Sequence, residues 1–144
     1  MFLLDSNVYI AGFNDPEFGE AFRAFHQTNL PRLILSAVVA HELLVGARTR
    51  HRLGVLERGL LEPFRTRRRI YVPTLATWKL AADVDRRLRE LGGYEASLAQ
   101  RSFGNDLLIA ATARELGATI VTRNLGDFEL IGRVVPIKFE PPWP

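Results

Sequence analysis

Four carboxylates in this chain lie inside or directly beside apolar segments, where an ionised side chain is costly. Asp5 closes a short apolar run, Glu42 interrupts one, Asp106 opens one, and Asp127 follows one after a short polar loop. The lysines are too few and the histidines too poorly spaced to neutralise them, so a divalent cation is the simplest common partner. Because the ligands would all be oxygens, Mg²⁺ or Mn²⁺ is favoured over zinc.

Each acid also has a purely structural interpretation. Asp5 and Asp106 could cap helices, since aspartate is common at the N-cap and in the first turn. Asp127 could be an ordinary loop residue before Phe128. Glu42 is harder to explain in this way, because its neighbours at spacings of three and four in a helix are apolar residues or glycine. Taken together, the four placements favour a shared metal site.

The elements that would position these acids alternate between strands and helices. The predicted strands are short apolar segments: Met1–Leu4, Leu33–Leu35, Ile70–Val72, Ala118–Thr122 and Val134–Phe139. The predicted helices lie between them: Glu17–Thr28, Ala37–Arg48, Leu53–Arg65, Thr77–Leu91 and Asp106–Leu116. This alternation predicts an α/β fold, a three-layer α/β/α sandwich with a short, mainly parallel sheet, in a single domain spanning residues 1–144.

The predicted topology brings the four acids to one place. In an open parallel sheet, ligands bind beyond the carboxyl ends of the strands. Asp5 and Asp127 follow predicted strands, and Ser36 ends a strand and would cap the helix that carries Glu42. Asp106 is expected in the first turn of its helix. We therefore expect all four carboxylates at one edge of the sheet.

Composition narrows the class of protein. A chain of 144 residues is long enough for one domain with a core, and the absence of cysteine excludes disulfides, thiol catalysis and cysteine-ligated zinc. Met1–Leu4 is too short for a signal sequence, and His41 and Glu42 interrupt the longest apolar stretch, so we expect a cytoplasmic protein with no membrane segment. The net charge of +3 comes almost wholly from arginine, which suits a polyanionic substrate. Genomic base composition would explain the arginine excess equally well.

Other motifs offer little competing chemistry. His41 and Glu42 lack a second histidine at the spacing of a zinc-protease helix, and the sequence has neither a phosphate-binding glycine loop nor a serine in a nucleophile elbow. A basic run, Arg67, Arg68 and Arg69, is either a phosphate contact or a solvated loop.

Four sequence blocks together resemble the PIN-domain nucleases in their order and spacing. The blocks are Leu3–Val8, Ser36–Gly46, Asn105–Ala113 and Val121–Phe128. Within that family, the chain resembles the VapC-type ribonuclease toxins of bacterial or archaeal toxin–antitoxin pairs. The resemblance covers nearly the whole length.

This resemblance implies metal-dependent hydrolysis of RNA phosphodiester bonds. Asp5, Asp106 and Asp127 would hold Mg²⁺ or Mn²⁺, directly or through water. Glu42 would be a further ligand or would orient the attacking water. The four acids are thus the expected catalytic and metal-binding residues.

The same resemblance implies supporting residues and partners. Ser6, which stands where threonine is common in the family, and Asn124 would form hydrogen bonds with the metal-binding carboxylates. Arg67, Arg68 and Arg69 match no family motif and are candidates for RNA contact. The implied partners are a second copy of the chain, in a homodimer, and a cognate antitoxin protein whose tail blocks the site.

Three rival functions stay open from the sequence. A phosphotransferase with Asp5 as nucleophile would resemble haloacid-dehalogenase-type enzymes, which need a second aspartate where this chain has Asn7. A catalytically silent RNA-binding module on the same fold would not need all four acids. A nuclease that cuts DNA is the nearest alternative, since no residue pattern tests for the 2′-hydroxyl.

Overall fold

A five-stranded parallel sheet lies at the centre of the computed structural model, which describes residues 1–143. Its strands are β1 (Phe2–Leu4), β2 (Leu33–Ser36), β3 (Ile70–Tyr71), β4 (Thr119–Val121) and β5 (Lys138–Glu140). Their order across the sheet is β3-β2-β1-β4-β5, and every neighbouring pair is parallel. The predicted parallel sheet is confirmed, with the first strand of the chain in the middle.

Helices connect the strands and complete the α/β/α arrangement that the sequence predicts. In the described residues they are α1 (Ser6–Asn14), α2 (Pro16–Asn29), α3 (Ala37–Gly46), α4 (Arg50–Leu56), α5 (Glu62–Thr66), α6 (Leu75–Leu91), α7 (Glu95–Leu98), α8 (Arg101–Leu116) and α9 (Leu125–Gly132). A 3₁₀ turn (Leu30–Arg32) precedes β2, and a π-helical segment (Glu57–Leu61) joins α4 to α5. None of these helices is long and apolar enough to cross a membrane.

The core lies on both faces of the sheet. Leu3, Leu33 and Ile120, from three neighbouring strands, are fully buried, as the strands of a parallel sheet covered by helices must be. Helix α8 runs through the core beside α6, and its segment from Asp106 to Ala113 is buried without interruption. It ends at Gly117, whose positive φ of 65° suits a glycine after a helix.

The two largest differences from the predicted boundaries each have a local cause. The strand predicted from Val134 to Phe139 begins only at Lys138, because the N–H groups of Val134 and Val135 donate to the carbonyl of Ile131 and close a turn after α9. The helix predicted to begin at Asp106 begins at Arg101, where the buried ring of Phe103 anchors its first turn. Asp106 therefore lies in the second helical turn.

Helix α1 has no counterpart among the predicted elements. It begins directly after β1 and carries apolar side chains around its whole circumference: Val8 and Tyr9 face the core, whereas Ile10 and Phe13 are about half exposed. A helix without a polar face lacks the periodicity by which helices are recognised in a sequence.

Candidate active site

Asp5 lies at the carboxyl end of the central strand, and both of its carboxylate oxygens accept hydrogen bonds. As the N-cap residue of α1, it accepts at Oδ1 from the backbone N–H of Ser6, at 2.7 Å. At Oδ2 it accepts from the Thr122 hydroxyl at 2.8 Å and from Asn7 Nδ2 at 3.0 Å. The capping interpretation of Asp5 is thus correct, and the same carboxylate is also tied to the end of β4.

Glu42 points from α3 into the same region. Its helix begins where the hydroxyl of Ser36 accepts from the backbone N–H of Val38 at 3.1 Å, as the sequence predicts for this cap. Glu42 Oε1 accepts from Asn105 Nδ2 at 2.8 Å, whereas Oε2 is buried and has no hydrogen-bond partner among the described residues. An unpartnered buried carboxylate oxygen is costly, so this atom is suited to a partner from outside the chain.

The side-chain amide of Asn124 forms hydrogen bonds with the remaining two acids, Asp106 and Asp127. Asn124 Nδ2 donates to Asp127 Oδ2 at 2.7 Å and to Asp106 Oδ2 at 3.2 Å. One neutral donor is therefore shared between two carboxylates. Asn124 lies where the sequence analysis places it, beside the acids. Ser6 also lies there, because its hydroxyl is 3.5 Å from Asp5 Oδ1.

Burial and the closeness of the acids raise the pKa of two of them, Asp106 and Asp5. Burial raises the pKa of Asp106 to about 9, with further contributions from hydrogen bonding to Asp127 and from the negative charge of Asp5. Burial also raises the pKa of Asp5, although the hydrogen bond from Thr122 opposes this shift. The negative charge of Glu42 raises the pKa of both residues, which shows that these acids share one electrostatic environment.

Two of the structural interpretations of the acids are wrong. Asp106 cannot be an N-cap, because Gln100 occupies that position of α8. Asp127 is not a loop residue: it lies in the first turn of α9, directly before the fully buried ring of Phe128. The junction between β1 and α1 and the helices α3, α8 and α9 each contribute one acid, so the sheet edge gathers side chains that are up to 122 positions apart, from Asp5 to Asp127.

The acids do not form a closed metal cage. Within residues 1–143, no group of three or more histidine, cysteine, aspartate or glutamate side chains is already arranged to hold a metal ion. The Asn124 amide instead bridges Asp106 and Asp127, and the Asn105 amide donates to Glu42. Any ion bound here would have to be coordinated partly by water or after side-chain rotation.

Three supporting residues escape the sequence analysis. Thr122 and Asn7 both donate to Asp5 Oδ2, and Asn105 donates to Glu42. Each lies within two positions of a site acid or of Asn124 in the chain. Their polar type directly beside a recognised residue is the signal that could have found them.

The basic run lies elsewhere. Arg67, Arg68 and Arg69 precede β3, on the amino-terminal side of the sheet, whereas the acids follow the carboxyl ends of strands. The Arg69 guanidinium donates to the backbone carbonyls of Leu33, at 2.8 Å, and Pro31. Arg67 and Arg68 are exposed.

An apolar groove of about 700 Å³ opens beside Glu42. Helices α1, α3 and α4 form much of its wall, with Phe13, Leu43 and Val55 among the lining residues. Phe13 and Val55 are each 53% exposed, so the groove presents neighbouring apolar side chains at the surface. Glu42 is the one site acid in its lining.

Comparison with known proteins identifies a family and several similar structures. The family model described as PIN domain matches residues 2–133. No curated protein sequence matches the chain.

Three solved structures share the fold over almost the whole of both chains. The structure of FitAB bound to an IR36 DNA fragment matches with a TM-score of 0.74 and 24% identity, covering 100% of this chain and 96% of that chain. FitAcB from Neisseria gonorrhoeae matches with a TM-score of 0.69 and 26% identity, covering 99% of each chain. DNA-bound VapBC from Salmonella typhimurium matches with a TM-score of 0.63 and 25% identity, covering 97% of this chain and 96% of that chain.

Proposed function

The chain belongs to the PIN domain family, and we propose that it is a Mg²⁺- or Mn²⁺-dependent endoribonuclease, the toxin of a toxin–antitoxin pair. PIN domains are generally nucleases. The observation that carries the proposal is the meeting of four acids from four elements at the carboxyl edge of the sheet, with the pKa of one raised to about 9. The resemblance to VapC-type toxins and the similarity to VapBC and FitAB structures support the toxin assignment.

The residues at this edge fit a divalent ion in charge and donor chemistry. All of the charged donors are carboxylate oxygens, and Glu42 Oε2 is buried without a partner in the described residues. Mg²⁺ usually keeps several waters and binds one or two carboxylates together with substrate phosphates, so its binding here would not require a closed three-acid cage.

Each residue of the site has a proposed role. Asp5, Asp106 and Asp127 would hold the ion directly or through water, and Glu42 would complete the set or accept a proton from the attacking water through Oε2. When bound, the ion would lower the pKa of that water and offset the charge that develops on the phosphate oxygens. Thr122 holds Asp5 in place by its hydrogen bond.

Cleavage of a labelled RNA tests the proposal. We expect cleavage with Mg²⁺ or Mn²⁺ and none in excess EDTA, and Asp5→Asn and Asp106→Asn should each lower the rate by at least about 100-fold, since each removes a charge from the metal site. Asp83→Asn is the matched control, because Asp83 pairs with arginines on the surface of α6. Undiminished cleavage in EDTA would contradict the metal mechanism.

The same assay separates the rival functions. A DNA of the same sequence should remain intact, and its cleavage at an equal rate would favour the DNA nuclease. RNA binding without cleavage under any metal condition would favour the silent binding module. The homodimer stays a prediction, which sedimentation velocity can check.

We also propose that the groove beside Glu42 receives the antitoxin. Its apolar lining suits an apolar segment of a partner protein, and the unpartnered Oε2 of Glu42 suits a basic side chain of that segment. A segment seated there would place its basic group at the site and exclude substrate. An antitoxin bound in this groove would therefore inhibit the nuclease by occupying its active site.

A further inference from the structure

Arg123 lies between two residues that hold the acids of the site. Its neighbour Thr122 donates to Asp5, and its neighbour Asn124 donates to Asp106 and Asp127. The backbone N–H of Arg123 itself donates to Asn7 Oδ1 at 3.1 Å. The backbone of Arg123 is therefore fixed at the rim of the carboxylate cluster.

The Arg123 side chain is exposed and has no acidic partner. Its guanidinium carbon lies 4.5 Å from the centroid of the Phe18 ring. Within residues 1–143, no carboxylate forms a salt bridge with it, in contrast to Arg86 and Arg89, which pair with acids of their own helix. A guanidinium that lies over a ring keeps the N–H donors along its edge available.

The ring beneath Arg123 is itself held in place. Phe18 is 7% exposed, and it stacks on Trp143 with an interplanar angle of 7° and centroids 6.0 Å apart. Trp143 in turn stacks on Phe25 with centroids 3.8 Å apart. Because the stack limits the motion of the guanidinium, less conformational entropy is lost when the guanidinium binds a ligand.

A site rich in acids needs a cation at its rim if its substrate is a polyanion. An approaching phosphate is repelled by Asp5, Glu42 and Asp127, and arginine binds phosphate through two parallel N–H donors. We propose that Arg123 binds a backbone phosphate of the RNA next to the site, with Phe18 positioning its guanidinium. This inference rests on the proposed nuclease function and identifies a substrate contact of the same site.

Fluorescence anisotropy with a labelled single-stranded RNA in EDTA tests this role without cleavage. Arg123→Ala should weaken binding by roughly tenfold or more, as for the loss of a charged hydrogen bond, and should reduce the slope of log K against log salt by about 0.7. Arg123→Lys should keep most of the slope and still bind more weakly, because an ammonium group lacks the planar pair of donors.

Two controls use other exposed arginines. Arg114→Ala, near the end of α8 that is distant from Asp106, should leave both affinity and slope unchanged. The double substitution Arg67→Ala with Arg68→Ala should reduce the salt slope less than Arg123→Ala alone. These two arginines precede β3, at the amino-terminal ends of the strands, whereas the acids follow the carboxyl ends. Melting curves establish that each variant is folded.

The outcomes distinguish this inference from the proposed function. If Arg123→Ala binds RNA with the wild-type affinity and slope, the assignment of Arg123 is wrong, even if the wild-type protein cleaves RNA. If the wild-type protein binds RNA but never cleaves it, the nuclease proposal fails and the binding data still decide the role of Arg123. If the wild-type protein does not bind RNA in EDTA, the assignment of Arg123 is wrong, and cleavage with Mg²⁺ still decides the nuclease proposal.

Discussion

Asp106 links the electrostatics of the site to the stability of the fold. Its pKa is raised to about 9 in the folded chain, against about 4 for an unperturbed aspartate. Between these values, the folded protein holds a proton that the unfolded chain has released. The free energy of unfolding therefore falls as the pH rises from about 4 to about 9 in the absence of metal.

Replacement of Asp106 by asparagine should remove this dependence. In EDTA, Asp106→Asn should melt at a higher temperature than the wild type, and the difference should be larger at pH 8 than at pH 5. Each kcal/mol gained in the free energy of unfolding should raise the melting temperature by about 2–4 °C. Calorimetry at a series of pH values measures the difference, with Asp83→Asn as the control for a surface acid. An Asp106→Asn variant that melts below the wild type at pH 8 would contradict the assignment.

With Mg²⁺ in place of EDTA, the wild type should melt at a higher temperature than Asp106→Asn. The ion binds the wild-type carboxylates and stabilises the fold by linkage, and it has a weaker site in Asp106→Asn. Because a ligand carboxylate must be deprotonated, the stabilisation should grow as the pH rises towards 9. A wild-type melting temperature indifferent to Mg²⁺ at every pH would argue against a metal site.

At the scale of elements, the close crossing of α1 and α2 depends on one glycine. A Cβ atom on Gly12 would lie 2.4 Å from the ring of Phe22, which is buried among the aromatic side chains of both helices. The helices can approach this closely only without a side chain at position 12. Asp5 caps the first turn of α1, so this crossing packs the helix that directly follows the first acid.

Gly12→Ala should therefore destabilise the protein by about 1–3 kcal/mol, the usual cost of overpacking. Gly104→Ala is the matched control, since a Cβ there meets no described atom within 4 Å. Alanine inside α8 should stabilise the protein by about 0.5–1 kcal/mol. Chemical denaturation of both variants gives the two free energies, and a neutral Gly12→Ala would refute the steric argument.

The elements differ in how far the sequence predicts them. All five strands are predicted because each lies in or overlaps a short apolar run, although β5 begins later than predicted, and α6 is predicted because it has one apolar face. Helix α1 is missed because its outer face is apolar and lines the groove. The start of α8 is missed because Phe103 adds only one apolar residue to a polar segment.

The sequence predicts the acids of the site but not the hydrogen bonds that hold them. Acids beside apolar runs can be recognised from the chain alone, and the sheet edge that gathers them follows from a parallel topology. The hydrogen bonds of Thr122 and Asn105 depend on distances between elements that no local pattern encodes. The stack of Arg123 on Phe18 joins residues 105 positions apart and is equally invisible in the sequence.

At the scale of the whole molecule, the groove offers a test of the partner. Phe13→Asp places a charge in the apolar lining and should abolish co-purification with a co-expressed antitoxin, while cleavage of RNA continues. Val72→Asp is the control, because Val72 is 65% exposed and lies outside the groove lining. Undisturbed co-purification of the Phe13→Asp complex would place the antitoxin elsewhere.

The position of β1 in the middle of the sheet has a consequence for the order of synthesis. Strand β1 is synthesised before its neighbour β4, and the Asp5 carboxylate accepts a hydrogen bond from a hydroxyl 117 positions later in the chain. A nascent chain that ends before Asn124 lacks both Asp127 and the amide between the last two acids. If the chain is the nuclease proposed here, such an unfinished polypeptide should not cleave the messenger RNA that encodes it, because its metal site is incomplete.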